Sequence, residues 1–226
     1  MLAQVLFELE LPHGRVVALA IPEADVGALG ELVMPEERAF AAGWAPARQR
    51  TWMAGRAALR AALQRSGIAC GAVLSDDRGA PALPEGIVGS VSHKERVAVA
   101  LVGQTVPGAR AQRLGIDVEL DAPARVDIAR KVLTRGELSE VAALSDLERA
   151  REVRLRFSLK EALYKALDPF VRRYVGFHEV IARPLEGGLC HVELGLPATD
   201  GAFDADARWL RRDGLVLSTA RVRQTP

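Results

Sequence analysis

The order of apolar and polar positions divides the chain into alternating strand-like and helix-like stretches. Residues 5–11 and 16–21 have strand patterns and are joined by a His-Gly turn, which predicts a hairpin at the start of the chain. Two apolar runs, at 87–93 and 97–102, flank a polar corner and predict a second pair of strands. The first half of the chain is therefore expected to contain an antiparallel sheet.

Helical periodicity lies between and after these strands. Pro46 opens a long stretch with an apolar stripe, and Gly67 can stop it. Residues 126–133 predict a short helix. Between the two helical stretches, residues 103–113 are mostly polar and contain Gly and Pro, so they are the best candidate for a boundary between two halves.

Two capping boxes of the form Ser/Thr-x-x-Glu, at 134–137 and 145–148, predict the starts of the next helices. The second helix is expected to run for roughly 20 residues, to about Leu167, where Asp168-Pro169 ends it. The pattern then predicts four strands, at 176–182, 189–194, 207–210 and 215–222. Both halves thus mix helix with antiparallel sheet, although we find no repeat of residue identity between them.

Composition and charge are those of an ordinary globular protein. Of 226 residues, 49% are hydrophobic and 26% charged, so disorder is not expected. With 30 Lys and Arg against 29 Asp and Glu, the net charge of +1 gives no indication of a nucleic-acid partner. No apolar run reaches membrane-spanning length. Two widely spaced cysteines, Cys70 and Cys190, favour a reducing compartment, with the cytoplasm as the default.

The first candidate site is the run L-G-I-D-V-E-L at 114–120. Asp117 and Glu119 alternate with apolar residues, so on a strand they share one face, about 6.5 to 7 Å apart along the backbone. Because like charges repel at that distance, a positive group should lie over them. A salt bridge to Lys or Arg and a bound cation are both possible.

A second cluster of polar residues lies on the long C-terminal helix. Its polar face carries Lys160, Glu161 and Lys165, flanked by the aromatic residues Phe157 and Tyr164. One reading is a solvent-exposed face with a Glu161–Lys165 pair. The aromatic residues on that face indicate instead that it is covered by another group. One carboxylate beside two amines suits a site that holds a metal and phosphates.

Three motifs carry a resemblance to a known family. They are V-G-S-V-S-H at 88–93, G-I-D-V-E at 115–119 and F-S-L-K-E-A-L-Y-K at 157–165. In this order and at these spacings the chain resembles the 4′-phosphopantetheinyl transferases, in the larger pseudo-twofold class of the surfactin and enterobactin activators. The resemblance spans about residues 45–180.

The resemblance implies a fold and an activity. The expected fold is α+β, with two similar α/β halves at 1–110 and 111–226 and the active site at their junction. The first half would contribute to coenzyme A binding, and the second would hold the metal site and the catalytic helix. The implied reaction moves the 4′-phosphopantetheine arm of coenzyme A to a serine of an acyl or peptidyl carrier protein, releasing adenosine 3′,5′-bisphosphate.

The resemblance also assigns roles to residues. Asp117, Glu119 and Glu161 match the magnesium ligands, and Glu161 is a candidate base. Catalytic roles are expected for Asp117, Glu161, Lys165 and His93. The residues expected to bind coenzyme A are Ser92, His93, Lys160, Lys165, Arg56, Arg60 and Arg78.

Two departures from the family pattern matter. Phe157 stands where many members have Trp, which places the chain in the enterobactin-type branch. Ala80 stands where many members have the Lys of Gly-Lys-Pro, and Arg78 is the candidate substitute.

The expected partners are a carrier protein of fatty-acid or secondary metabolism and coenzyme A, with no nucleic acid and no stable membrane insertion. A cytoplasmic monomer is expected. Two other classes of function stay open: a non-catalytic module that binds coenzyme A or carriers, and a magnesium-dependent pyrophosphate hydrolase.

Overall fold

The computed structural model describes residues 4–21, 26–123 and 128–225. The chain divides into two compact units, an N-terminal unit of residues 1–109 and a C-terminal unit of residues 110–226. Each unit combines an antiparallel sheet with one long helix. The expected mixed α and β architecture with two sheets is therefore confirmed.

Within residues 4–21 and 26–109, the N-terminal unit has a four-stranded sheet and three helices. The strands are β1 (Val5–Leu11), β2 (Gly14–Ala20), β3 (Ile87–Lys94) and β4 (Val97–Gln104), in the spatial order β1-β2-β4-β3. The helices are α1 (Val26–Gly30), α2 (Pro35–Ala41) and α3 (Pro46–Arg65). The predicted hairpin, the predicted strand pair and the long helix from Pro46 are all confirmed.

Alanine residues let α3 lie close to the sheet. Ala54, Ala58 and Ala62 are buried, and Leu59 and Leu63 fill the stripe beside them. Short side chains at these positions shorten the distance between helix and strands, while the leucines contribute most of the apolar area that is removed from water. Burial of this stripe fixes which face of α3 points to solvent.

The C-terminal unit has a five-stranded sheet, in which all neighbouring strands are antiparallel. The strands are β5 (Gln112–Leu120), β6 (Val180–Pro184), β7 (Leu189–Leu194), β8 (Phe203–Arg212) and β9 (Leu215–Gln224), in the order β5-β9-β8-β7-β6. The helices are α4 (Ala129–Val132), α5 (Arg135–Val141) and α6 (Asp146–Val171). Part of the short helix predicted at 126–133 lies outside the described residues.

Strand β5 lies directly against α6, and a glycine makes this possible. A Cβ atom on Gly115 would be 1.8 Å from the carbonyl oxygen of Ala162. Only a residue without a side chain fits at such a close approach of two backbones. Because alternate residues of a strand point to the same side, Asp117 and Glu119 share the face of Gly115 and are directed toward α6.

The end of α6 differs from the prediction. The helix continues through Pro169 to Val171 and ends at Arg172, which adopts a left-handed conformation with φ of 50° and donates its N–H to Asp168 O. A proline within a helix removes one hydrogen bond. The ring of Phe170 packs on the ring of Phe203, with the two ring centroids 5.3 Å apart. Phe170 thus belongs to the apolar surface that holds this last turn on the sheet.

The helical parts of the two units repeat one another. Residues one hundred positions apart correspond, so that α2 and α5 cover equivalent positions and α3 and α6 begin at equivalent positions. Glu37 matches Glu137, and Arg60 matches Lys160. Few residues in these segments are identical, so the repeat is one of structure and not of residue identity.

Among the helices that the structure describes, none has both the length and the apolar character needed to cross a bilayer.

Candidate active site

Two buried acids on β5 are each paired with a cation from α6. Asp117 and Glu119 are only 5% and 6% exposed. Lys165 Nζ lies 2.9 Å from Asp117 Oδ1, and Arg154 Nη1 lies 2.7 Å from Glu119 Oε2. The prediction that positive groups lie over the two acids is confirmed, in the form of salt bridges.

Lys165 joins α6 to β5 through two contacts. Its ammonium group donates to the backbone oxygen of Ile116 at 2.9 Å as well as to Asp117. These bonds direct the side chain toward the strand, so Asp117, rather than Glu161 one turn away on the helix, is its close ion-pair partner. Lys165 therefore sets the position of one acid of the site.

Glu161 is the third acid near these residues. Burial raises the pKa of its carboxyl group, and the negative charge of Asp117 adds to the shift. Lys165 opposes the increase, while Glu119 contributes to it. Asp117, Glu119 and Glu161 are thus electrostatic neighbours within the C-terminal unit, and we call them the acid cluster. A carboxylate with a raised pKa accepts a proton more readily near neutral pH.

All the possible metal ligands in the acid cluster are carboxylate oxygens. Among the described residues, no group of three or more His, Cys, Asp or Glu side chains is arranged to hold a metal ion by protein ligands alone. Mg²⁺ usually has a different environment, with one or two carboxylates and the remaining positions filled by phosphate and water oxygens. The chemistry of the acid cluster fits that kind of site.

Lys160 faces the interior, which corrects the expectation that it contacts phosphates. It is 2% exposed and donates to Val132 O at 2.8 Å, Glu137 Oε2 at 2.6 Å and Phe177 O at 3.0 Å. Burial lowers the pKa of this ammonium group, and Glu137 opposes the shift. Since an ammonium group has three N–H donors, all of them are used inside the protein.

Glu137 is the centre of these contacts. It accepts from Lys160 and from the N–H of Thr134 through Oε2, and from the N–H of Ala182 through Oε1. These bonds join the start of α5, the middle of α6 and strand β6. We call Glu137 with these donors the Glu137 hub.

Arg60 has the equivalent place in the N-terminal unit, and a contact with a coenzyme A phosphate stays a prediction for it. Its Nη2 lies 2.7 Å from Oε1 of the buried Glu37. The guanidinium also donates to Cys70 O at 3.3 Å and Gly71 O at 3.2 Å. Glu37 further accepts from the N–H groups of Met34 and Val73. We call Glu37 with these donors the Glu37 hub.

Arg56 is buried on α3. Its Nε donates to Val73 O at 2.7 Å, and its Nη2 donates to Leu74 O and to Ser75 Oγ. The guanidinium also stacks over the ring of Trp52, 4.5 Å from its centroid. Burial lowers the pKa of Arg56 to about 10, so the group is still a cation at neutral pH. These contacts do not use Nη1.

The other residues predicted to bind coenzyme A lie on β3 and on a turn. Ser92 is buried and His93 exposed, as expected for neighbouring strand residues that point to opposite faces. Arg78 is exposed on a turn in which Asp76 Oδ1 accepts the N–H groups of Arg78 and Ala80, each at 2.9 Å. Thus Ser92 and His93 are adjacent in sequence but present different surfaces.

Sequence reasoning missed the hub glutamates and Arg154. Arg154 belongs to a basic segment that the sequence presents as helix surface, and its charge alone does not reveal that Glu119 is its partner. A clue was available for Glu137, because it is the Glu of the predicted capping box. Glu37 occupies the same position of α2, three residues after Met34.

A pocket lies beside Glu161 in the C-terminal unit. Its walls are mainly aromatic and aliphatic, and Glu161 and Lys160 are its charged members. The lining residues are Lys160, Glu161, Tyr164, Tyr174, Val175, Gly176, Phe177 and Val180. The pocket therefore offers aromatic and aliphatic walls beside the carboxylate of Glu161.

Two family models match most of the chain. The first, a 4′-phosphopantetheinyl transferase N-terminal domain, covers residues 36–103, and the second, the 4′-phosphopantetheinyl transferase superfamily, covers residues 113–215.

Three curated relatives agree with these matches. The chain is 33% identical to the 4′-phosphopantetheinyl transferase Svp of Streptomyces mobaraensis, over 84% of this chain and 79% of Svp. It is 31% identical to Npt of Nocardia iowensis, also a 4′-phosphopantetheinyl transferase, over 81% of this chain and 86% of Npt. Identity to enterobactin synthase component D of Salmonella typhimurium is 28%, over 76% of this chain and 70% of that protein.

Proposed function

Because the chain belongs to the 4′-phosphopantetheinyl transferase superfamily, it is an enzyme that transfers the phosphopantetheine arm of coenzyme A to carrier proteins, and we propose here which of its residues perform that transfer. The observation that carries the proposal is the acid cluster, in which β5 and α6 bring together two acids, a third acid with a raised pKa and a lysine.

The reaction requires one bond to form and one to break. The hydroxyl oxygen of the carrier serine attacks the phosphorus that bears the pantetheine arm, and the bond from this phosphorus to the bridging oxygen of the pyrophosphate breaks. The serine proton goes to a base, and adenosine 3′,5′-bisphosphate leaves. Such transfers depend mainly on positioning and on neutralisation of phosphate charge.

Glu161 is our candidate for the base. Burial and the charge of Asp117 raise the pKa of its carboxyl group. A base with a raised pKa holds the serine proton more strongly than an ordinary glutamate does. Glu161 also borders the pocket where the reactive end of the arm is expected to lie.

We propose that the acid cluster would hold Mg²⁺ through one or two of the carboxylates of Asp117, Glu119 and Glu161, with phosphate and water oxygens as the other ligands. When bound there, the ion supplies charge neutralisation for the pyrophosphate. Lys165 binds one carboxylate oxygen of Asp117, and Arg154 binds one carboxylate oxygen of Glu119. These bonds orient the two carboxylates. Lys165, on the same helix as Glu161, is our candidate for the protein cation that contacts the transferred phosphate.

In the N-terminal unit, Arg56, Arg78, Ser92 and His93 are the candidates for binding the phosphates of coenzyme A. Arg56 has Nη1 available beyond its three contacts to residues 73–75. Arg78 and His93 lie on exposed positions. Arg recognises phosphate well because its donors are arranged as a fork.

The pocket beside Glu161 is our candidate for binding the pantetheine arm. The arm is thin and carries methyl groups, so walls such as Tyr164, Val175 and Phe177 provide apolar contact along its length.

The finer classification is also a proposal. Phe157, together with the similarity to enterobactin synthase component D, supports an enterobactin-type enzyme. Cys70 and Cys190 are free thiols, which supports a reducing, cytoplasmic environment. We propose a monomer that acts on carriers of fatty-acid or secondary metabolism and binds no nucleic acid.

Incubation with coenzyme A, Mg²⁺ and an apo carrier protein tests the proposal by mass spectrometry. Transfer predicts that the carrier gains the mass of one phosphopantetheine and that chelation of divalent cations stops the gain. Cleavage of coenzyme A without modification of the carrier would instead indicate a hydrolase. Binding without either change would indicate a non-catalytic module. A panel of fatty-acid, polyketide and peptide-synthetase carriers then identifies the substrate.

A further inference from the structure

Residues 70–74 belong to neither a helix nor a strand, yet side chains hold their backbone at several points. Arg60 donates to the carbonyl oxygens of Cys70 and Gly71, and Glu37 Oε1 accepts the N–H of Val73 at 2.7 Å. Because Arg60 and Glu37 are also bonded to each other, one ion pair from α2 and α3 fixes three points of this segment, at residues 70, 71 and 73.

A second set of contacts continues along the segment. Arg56 Nε donates to Val73 O at 2.7 Å, and Trp52 Nε1 donates to Ser75 Oγ at 3.1 Å. Ser75 in turn forms an isolated bridge with Pro81. Residues 70–75 are therefore attached to α3, and the bridge from Ser75 to Pro81 closes the segment that follows.

The turn that carries Arg78 lies between Ser75 and Pro81. Inside the turn, Asp76 donates its N–H to Ala80 O at 2.9 Å and accepts two N–H groups through its side chain. A turn that is closed in this way moves as one piece with the residues that precede it. The position of Arg78 consequently depends on how firmly residues 70–75 are held.

We propose that Glu37 and Arg60 are positioning residues that hold residues 70–81 in place for coenzyme A. This inference rests on the proposed role of Arg78 in binding coenzyme A. Neither Glu37 nor Arg60 contacts the substrate in this role. Glu37 is 1% exposed and satisfied by three donors, which suits it to hold the segment and leaves it no face for a ligand.

The main test uses Arg60→Lys. Lysine keeps the positive charge near Glu37, so the buried carboxylate stays compensated, but it cannot reproduce the forked contacts to Cys70 O and Gly71 O. We expect the Michaelis constant for coenzyme A to rise about tenfold, the equivalent of ~1.4 kcal/mol. The turnover number and the Michaelis constant for the carrier should change less than about twofold, since the acid cluster is in the other unit.

Hydrogen exchange provides an independent measurement in the absence of coenzyme A. The Val73 amide, which donates to Glu37, should exchange faster in Arg60→Lys than in the wild type. Arg65→Lys is the matched control, because Arg65 lies on the same helix and pairs with Glu8 at 2.8 Å, away from residues 70–75. That variant should leave both the exchange and the Michaelis constant unchanged.

Each outcome decides the proposal. Faster exchange together with a raised Michaelis constant supports it. An unchanged Michaelis constant overturns it, whatever the exchange rate, because the pair would then be only structural. A raised constant with unchanged exchange also overturns it and indicates a direct contact, which weaker discrimination between coenzyme A and its 3′-dephospho form would confirm.

A second variant guards against a folding defect. In the double variant Glu37→Met with Arg60→Met, both charges are removed and apolar volume is retained, a change that often preserves stability. It should show the same raised constant as Arg60→Lys. If the wild type transferred no phosphopantetheine, the proposed function would fail, whereas the exchange measurement would still report whether Arg60 holds the segment.

Discussion

The Glu37 hub and the Glu137 hub have the same design in two different surroundings. In each, a buried glutamate near the start of a short helix accepts the N–H that precedes that helix, a cation from the long helix and a backbone N–H from a later segment. The cations, Arg60 and Lys160, occupy equivalent positions. Lys160, which lies in the motif at residues 157–165, therefore has a structural counterpart in Arg60, although the N-terminal unit lacks that motif.

The difference between the units lies beside the hubs. Glu161 and Lys165 follow Lys160 on α6, whereas the equivalent positions on α3 are Ala61 and Arg65. Arg65 pairs with the surface residue Glu8, while Lys165 pairs with the buried Asp117. The comparison teaches that a common scaffold supports both long helices, and that the acid cluster combines Glu161 of α6 with Asp117 and Glu119 of β5.

The largest effect is expected from Glu161→Gln, which removes the acid that distinguishes the C-terminal unit. Glutamine keeps the shape of the side chain but cannot accept the serine proton or provide a carboxylate. We expect the rate of carrier modification to fall by about 10³-fold or more. Mass spectrometry of the carrier measures the rate, and circular dichroism verifies the fold.

The matched control is Ala61→Gln at the equivalent position of α3. It adds the same side chain to the other long helix and should retain most of the activity. Near-normal transfer by Glu161→Gln would show that the acid cluster is not the catalytic centre.

The next largest effect concerns the hubs themselves and is an effect on stability. In Lys160→Met the buried carboxylate of Glu137 loses the ammonium partner at 2.6 Å and keeps Arg156 Nη1 at 3.9 Å, which is expected to cost about 3–5 kcal/mol of unfolding free energy. Arg60→Met should cost less, about 1–3 kcal/mol, because Arg60 is partly exposed and water can reach the Glu37 hub. Chemical denaturation of both variants measures the difference, and an equal loss would contradict this ranking.

The outcome for these two cations shows what could be predicted from the sequence. The strands, the long helices and the shared face of Asp117 and Glu119 follow from periodicity, which depends on residues close together in the chain. Periodicity does not predict the partners of Arg60 and Lys160, because Glu37 and Glu137 each lie 23 residues before the cation that they bind. A charged residue on a helix has the same appearance in sequence whether it faces solvent, substrate or a buried acid.

Pro169 shows the same limit for an element boundary. The Asp168-Pro169 pair is a valid local signal for the end of a helix, yet α6 continues to Val171. The favourable contact of Phe170 with Phe203, 33 residues later, offsets the loss of one hydrogen bond. The surroundings of the acid cluster could be predicted from the sequence only in part. Arg154 is recognised as the partner of Glu119 only when β5 and α6 are placed side by side.

A smaller effect is expected from the pH dependence of stability. The pKa of Glu161 in the folded protein is raised above its usual value of 4.5. Between the two pKa values the folded state binds more protons than the unfolded state, so the contribution of Glu161 is fully present below 4.5 and is lost as pH rises through the folded pKa. Without divalent cations, Glu161→Gln should therefore gain stability relative to the wild type as pH increases.

Denaturation of both proteins across this range in a chelating buffer provides the measurement. Ala61→Gln, which adds no titrating group, should follow the wild-type profile with a constant offset. A stability difference that did not vary with pH for Glu161→Gln would contradict the raised pKa.

The smallest effect separates Arg56 from Arg156, the equivalent arginines of α3 and α6. Arg156 binds two partly exposed carboxylates, Glu140 at 2.7 Å and Glu152 at 3.0 Å, whereas Arg56 binds carbonyl oxygens and Ser75. Salt screens the first kind of contact more than the second. Each substitution is expected to lower the free energy of unfolding, which chemical denaturation measures at low salt and at about 1 M salt. The higher salt concentration should make the loss caused by Arg156→Met smaller, by less than about 1 kcal/mol, and leave the loss caused by Arg56→Met unchanged. If both costs fell together, the two arginines would be held by similar forces, and the units would differ only at the acid cluster.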